Sequence, residues 1–502
     1  MNDTENGATE PEPPAATSPA APAAPAAPTS YHLLGDRTDR EFSGLFKTSL
    51  GVLIATMVYY AFTANVQNPL HLYQGLAILV FSVVPTLIWL RQGGVRFPVF
   101  EPMMFLCATS YALPLLNGHA QLVDYPHEVL SRAGWYVLAY QASALLVYAA
   151  VRGQPGRGRF WTESIISSRL ERNMTYGVVL SSVYTGVSVF TDWIPTDLAS
   201  VLRAVFFGIS ILCVFTTCQR WGKGELTRTE KGIFSTAFAL QLIFLSTGLL
   251  LIMPLTQIGI ALLGYLSVGR RMPWVMAVVL FGLFAILHNG KTPMREVYWE
   301  GLKPEPNVWF LPGFFSEWIG HGLTVPTSEK QGMASALGSK LLERTSIMHI
   351  LCLVVACTPD RQPHLDGETY GYVLPQLIPR FFWPDKPRSH ISTYRLSVYY
   401  GLQSEEGTLK TTIAFGMLTE AYANFGIGGV LLLGALFGGG IKTMQVLSAQ
   451  SPMFSLAGLT MVLLTAWSFN VELTMAAWVS SLYQAMIAVL GVPLVLRSFV
   501  GL

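Results

Sequence analysis

Apolar residues in this chain gather into twelve stretches of roughly 17 to 22 positions, the length needed to carry a helix through a bilayer. They lie near 48–66, 72–90, 98–116, 133–151, 173–191, 199–218, 231–247, 249–268, 273–288, 425–444, 454–470 and 477–497. The run from Ile233 to Val268 is too long for one crossing, so it is folded here into a tight helical hairpin around Ser246-Thr247-Gly248. The expected fold is therefore all-α: a polytopic membrane protein of about twelve transmembrane helices.

Charge between the stretches sets the orientation, because cytoplasmic loops hold the Lys and Arg. With the N-terminus inside, the inner loops carry Arg91 and Arg96, then Arg152, Arg157, Arg159, Arg169 and Arg172. Further inner loops hold Arg220, Lys223, Arg228 and Lys231, then Arg270 and Arg271, and finally Lys442. The short outer loops hold almost none; the one at 191–198 has only acids. Both termini are then cytoplasmic, and the long polar segment faces outward. Long translocated segments escape this charge rule, so the cations within it need another explanation. Four regions follow: an Ala/Pro-rich disordered tail at 1–40, membrane helices at 41–288, an extracytoplasmic loop region with short helices at 289–424, and the last helices at 425–502. The tail lacks the basic and apolar blocks of a signal peptide.

Composition narrows the class. Half of the 502 residues are hydrophobic and 12% are charged, with a mean hydropathy of +0.44. A net charge of +2 without a dense basic block excludes a nucleic-acid partner. The five cysteines form no CxxC pair or metal framework, and Cys352 and Cys357, five apart in what reads as a surface helix, fit a disulfide poorly. No nucleotide-binding or metal-binding motif is present, so no cofactor is expected.

The chemistry concentrates in the outward segment, which is far longer than an ordinary connection. Its first part carries Lys291 and Arg295, which share a face if helical, followed by Trp299. The second carries Lys340 and Arg344 ahead of Ile347 to Ala356, a run too short to cross and expected to lie in the interface or to re-enter. The third, Ile378 to Arg388, sets Arg380, Lys386, Arg388 and Trp383 among Pro379, Pro384 and Pro387. Prolines preset a backbone, and Arg and Lys suit phosphate oxygens, so this loop is a candidate anion grip. Anchoring at the membrane surface is the competing reading for Lys291, Arg295 and the aromatics Tyr370, Trp383 and Tyr422. Glu420 enters the tenth stretch; it either pairs with a loop arginine or serves catalysis, with Glu472 as a weaker second acid. His321 and His349 lack any motif spacing and read as structural.

Gly367-Glu368-Thr369-Tyr370, then Pro379 to Pro387, then Glu420-Ala421-Tyr422-Ala423-Asn424-Phe425-Gly426, ahead of a terminal set of spans, resemble the oligosaccharide repeat-unit polymerases. These are the Wzy-type O-antigen and exopolysaccharide polymerases of bacterial cytoplasmic membranes. Gly290-Lys291 with Arg295 resembles the opening of the same region, while Thr419 stands where that family has Gly. The resemblance implies a GT-C-like glycosyltransferase without a nucleotide-binding domain, residing in the inner membrane. It implies an undecaprenyl diphosphate-linked oligosaccharide as substrate, membrane lipid around it, and a chain-length regulator and a flippase as partners. In that reading Glu420 and Arg380 are catalytic. Lys386, Arg388, Arg344, Lys291 and Arg295 meet the diphosphate, while Tyr370, Trp383 and Tyr422 stack on sugar or pack the groove. A ligase of the same fold and, at greater distance, a lipid-glycan transporter are the alternatives.

Overall fold

A computed structural model describes residues 39–94, 97–194, 196–299, 303, 307–324, 346–378, 382–410, 412–491 and 494–495. The described residues are helical, with a single isolated bridge between Ser164 and Ser455 and no strand. Each of the twelve apolar stretches falls on helix. In chain order these are α1 (Asp39–Thr63), α2 (Pro69–Arg91), α3 (Phe100–Leu116), α4 (His127–Ala150), α5 (Ser168–Phe190), α6 (Thr196–Lys223), α7 (Arg228–Ser246), α8 (Ile252–Leu266) and α9 (Trp274–Trp299). The outward segment adds α10 (Leu311–Leu323), α11 (Met348–Cys357) and α12 (Ile391–Tyr399). The chain closes with α13 (Met417–Leu447), α14 (Leu456–Trp467) and α15 (Met475–Gly491).

Five of them are long and apolar enough to cross a membrane: α1 from Phe42, α2, α6 from Val205, α9 and α13. The chain is thus an all-α protein with membrane-spanning helices. Helices α4, α5 and α7 are long but more polar, and α3, α8, α14 and α15 are apolar but shorter.

Local signals explain the boundaries. The Asn68 side chain accepts the Leu70 N–H at 2.9 Å, with Pro69 opening α2. Thr227 and Glu230 cap each other's backbone at the start of α7. The long apolar run does break after Ser246: the Ser246 and Thr247 hydroxyls donate back to the Leu242 and Phe244 carbonyls, and Leu249 turns through a left-handed φ of 56°.

Two large cores hold the bundle. One gathers α2, α3, α4, α11 and α13; the other gathers α5 to α8 with α14 and α15. Helix α13 packs on α4 through Gly434 and Gly438, where an added Cβ would strike the Tyr140 and Ala144 carbonyls. A third, small core joins α9 and α10, with Trp318 Nε1 donating to the Leu287 carbonyl at 2.7 Å. For 347–356 the interface and surface readings need correction, because Met348, Leu351, Cys352, Val354 and Val355 are fully buried in the first core, whereas the expectation that the segment re-enters is not contradicted by that burial. A ten-residue helix that is apolar but for His349, flanked by larger helices, gains more by burial between them than at a surface. All five cysteines are unpaired.

Candidate functional site

The centre of interest is a bend. Helix α13 is two limbs, 417–425 and 427–447, meeting at Gly426, whose φ of 58° and ψ of −146° are open essentially only to glycine. At Gly429 an added Cβ would meet the Ala421 carbonyl, so the short limb folds back along the long one. Met417 and Leu418 accordingly share a small cavity with Leu433, about 10 Å beyond the bend at the helical rise. Thr419 is fully buried within a regular helical turn, which asks nothing of glycine.

Glu420 projects from this short limb and is completely buried. A buried carboxylate must be hydrogen-bonded to persist. The Met475 N–H, at the start of α15, donates to Oε2 at 2.6 Å, and the Thr369 hydroxyl lies against the same carboxylate. Oε1 is buried and has no hydrogen-bond partner among the described residues. A second bond ties the same two segments: the Gly416 N–H donates to the Glu472 carbonyl at 3.0 Å, with Gly416 at a φ of 75°.

The residues resembling a signature frame this acid. Asn424 lies one turn beyond Glu420. Its Nδ2 donates to the Glu420 carbonyl and to Thr369 Oγ1, each at 2.8 Å, and its Oδ1 accepts the Gly367 N–H at 3.1 Å. Ser392 in α12 donates to the Thr369 carbonyl at 2.9 Å. Glu368 is held outward by a two-pronged pair with Arg395 at 2.7 and 3.1 Å. Tyr370 packs on Phe425, and burial together with the neighbouring Glu420 holds its phenol far above the ordinary range, so it stays a neutral O–H.

Glu472, exposed between α14 and α15, has its carboxyl pushed up by the protein packed near it and drawn back down by Lys291 on α9. Beside Met417 and Val471 runs an apolar groove of about 220 Å³, walled also by Phe437 and Trp478. It opens past Leu436 and Met444, both exposed on the outside of α13.

The structure thus brings Tyr370 to Glu420 and Lys291 to Glu472, and gives the other described candidates surroundings of their own. Lys386 is buried, with Nζ donating to the Ile378 carbonyl at 2.6 Å and the Gln376 carbonyl at 3.3 Å. Arg388 is exposed and Trp383 is 38% exposed. Arg295 donates to the Leu249 carbonyl at 3.0 Å and stacks on Trp299, bracing the turn between α7 and α8. Tyr422 is no stacking platform for a sugar: it is 3% exposed, its ring lies on Tyr136, and its hydroxyl donates to the Thr358 carbonyl. Arg380 and Arg344 lie outside the described residues.

Sequence reasoning missed Asn424, Thr369 and the Met475 N–H. The first two carried a signal, since Asn424 is four residues from Glu420 and Thr369 is in a motif already singled out. The third carried none, because a backbone donor has no residue type. Among the described residues no cluster of His, Cys, Asp and Glu is suited to a metal. Comparison with protein-family models, with curated proteins and with solved structures finds no match for this chain.

Proposed function

We propose that this chain is a glycosyltransferase of the bacterial inner membrane that polymerises polyprenyl diphosphate-linked oligosaccharide repeats on the outer side. In this reading it has twelve spans, a GT-C-like architecture and cytoplasmic termini. The observation that carries it is the fully buried Glu420 carboxylate, oriented by the Met475 N–H, on the same helix limb as Met417, which walls an apolar groove. A lipid-linked donor brings an apolar chain that suits such a groove and a sugar whose transfer calls on an oriented acid.

The step is a displacement at the anomeric carbon of the growing chain. The acceptor sugar hydroxyl attacks, its proton passes to Glu420 Oε1, and the bond from the anomeric carbon to the diphosphate oxygen breaks with inversion. Negative charge builds on the leaving diphosphate, where Lys291 and the Arg380 guanidinium stabilise it as it develops. Tyr370, a neutral donor beside Glu420, orients the hydroxyl.

The test is reconstitution in vesicles with a defined undecaprenyl diphosphate-linked repeat and no nucleotide sugar, reading chain length by gel and mass. Ladder growth that is lost in Glu420→Gln is expected. No growth by the wild-type protein, or growth at full rate by Glu420→Gln, overturns the proposal. Deletion in the host separates polymerase from ligase, since only the former leaves single repeats attached.

A further inference from the structure

The segments 374–378 and 382–388 are built inside out. Lys386 and Gln376 turn inward: the ammonium donates to the Gln376 and Ile378 carbonyls, and the Gln376 amide donates to the Pro387 carbonyl at 3.3 Å. These bonds close the two arms into one loop. The side chains that face outward are Leu374 and Phe382, 74% and 75% exposed, with Ile378 and Trp383 also exposed. A loop in water does the reverse, because an ammonium keeps its hydration outside and apolar side chains gain by leaving water. In an apolar medium the order inverts, since every polar group must then be met from within.

The place of the loop in the fold says which apolar medium this is. Its roots are Thr369 and Ser392, bonded to each other, and Thr369 is held by Asn424 on the short limb of α13. That limb lies alongside the first turns of the long limb, where Ile427, Leu431 and Leu432 stand exposed on a helix long and apolar enough to cross a membrane. The loop therefore leaves the bundle at the depth of the lipid-facing belt. We infer that Leu374, Ile378 and Phe382 are inserted in the bilayer leaflet beside Glu420, with Trp383 and the exposed Asp385 and Arg388 at its headgroup edge. A lipid-borne substrate then reaches the acid sideways, past this lip, without leaving the leaflet. The insertion stands on the loop alone; its use as an entry lip rests on the proposed transferase reading.

The test places a spin label at Leu374→Cys, Ile378→Cys or Phe382→Cys in the full-length protein in phospholipid vesicles, with the signal of labelled wild type subtracted. Glu405→Cys, at an exposed residue of the same outward segment, is the water reference. Oxygen, which dissolves in lipid, is expected to relax the three loop labels more than a water-soluble nickel chelate does, and the order reverses at Glu405→Cys. Adding Leu374→Ser and Phe382→Ser to Ile378→Cys withdraws two apolar side chains, which shifts the loop's partition toward water by about 10²-fold and opens its label to the chelate. Trp383 gives a second reading on the unlabelled chain: the fluorescence lost in Trp383→Phe should be quenched more by lipids brominated near the headgroup than by lipids brominated deep in the chains. Chelate access at all three labels equal to that at Glu405→Cys overturns the insertion, and so does a lack of access to both reagents, which would mean that protein covers the patch. Lipid-exposed labels in a protein that grows no chain keep the insertion and remove the transferase reading. Water-exposed labels in a protein that grows chain do the opposite.

Discussion

Two charge-bearing motifs, one built on the single acid Glu420 and one from Ile378 to Arg388, meet opposite fates in the fold. The proline-braced stretch keeps Trp383 and Arg388 toward solvent and turns the Lys386 ammonium inward onto the carbonyls of Gln376 and Ile378. Glu420 and Asn424 are buried completely and bonded by residues from two separate stretches of chain, 367–369 and Met475. The difference is one of partner range. A loop whose prolines remove donors leaves backbone carbonyls unsatisfied, and a nearby Lys with three N–H groups is the natural cation to meet them. A carboxylate on a folded-back helix finds its donors only when distant segments converge, so its burial reports tertiary design.

The sharpest way to break this contrast is to neutralise one charge in each motif. Glu420→Gln keeps the Met475 contact with a neutral acceptor and is expected to lower chain growth by about 10²- to 10⁴-fold, the range for removing a general base. Lys386→Met, measured per folded protein, is expected to change the rate at most a few-fold while lowering the melting temperature, because it strips two carbonyls of their donor. Equal rate losses in both variants would erase the distinction.

Much of the bundle was legible in the sequence because apolar length is a local property: every long stretch became helix, and the break after Ser246 fell where the run exceeded one crossing. The interface reading of α11 failed for want of knowledge of its neighbours, since a short apolar run looks alike at a surface and in a core. Glu420 was legible as a residue but not as an environment. Its donor is the Met475 N–H, 55 positions on, and Asn424 beside it is tied to Thr369, 55 positions before Asn424; no periodicity links them. Tyr422 and Arg295 were read by type, as a stacking ring and a phosphate grip, whereas packing against Tyr136 and the Leu249 carbonyl decides their work.

Gly426 tests whether the fold-back is what sets the two motifs apart. Gly426→Ala places a Cβ about 3.3 Å from the His364 ring in a backbone region that L-residues avoid, at a cost of about 1–3 kcal/mol. Thermal unfolding in detergent should show that loss. The added expectation is that chain growth falls by more than stability does, because a straightened limb carries Glu420 away from Met475. The nearby Gly428, with open space where its Cβ would lie, is the control: Gly428→Ala should leave both measurements unchanged.

Lys291 sharpens the electrostatic side of the comparison through its pull on Glu472. Lys291→Met removes the charge that pulls the Glu472 pKa down and leaves burial unopposed, so the Glu472 carboxyl should titrate at higher pH than in the wild type. Chain growth should fall about tenfold, with the fall concentrated in the rate and not in the donor concentration needed for half saturation, if the cation acts on charge that develops as the diphosphate leaves. Arg388→Met, on the exposed loop, should do neither.

The smallest expected effect concerns a half-buried group outside both motifs. The rings of His349 on α11 and His119 stack in parallel at 5.8 Å, and burial, aided by the neighbouring His119, lowers the His349 pKa to about 4. In the unfolded chain the same imidazole takes up a proton near its ordinary 6.5, so between those values the unfolded state binds more protons than the folded one. Stability therefore declines as pH falls from about 6.5 toward 4 and is untouched by this residue above that window. His349→Asn should flatten the decline seen in melting temperature across those pH values. Chain growth should keep its acid limb in that variant, since the limb belongs to Glu420. A limb that moved with His349 would instead make the imidazole part of the proton path and dissolve the separation between core and site.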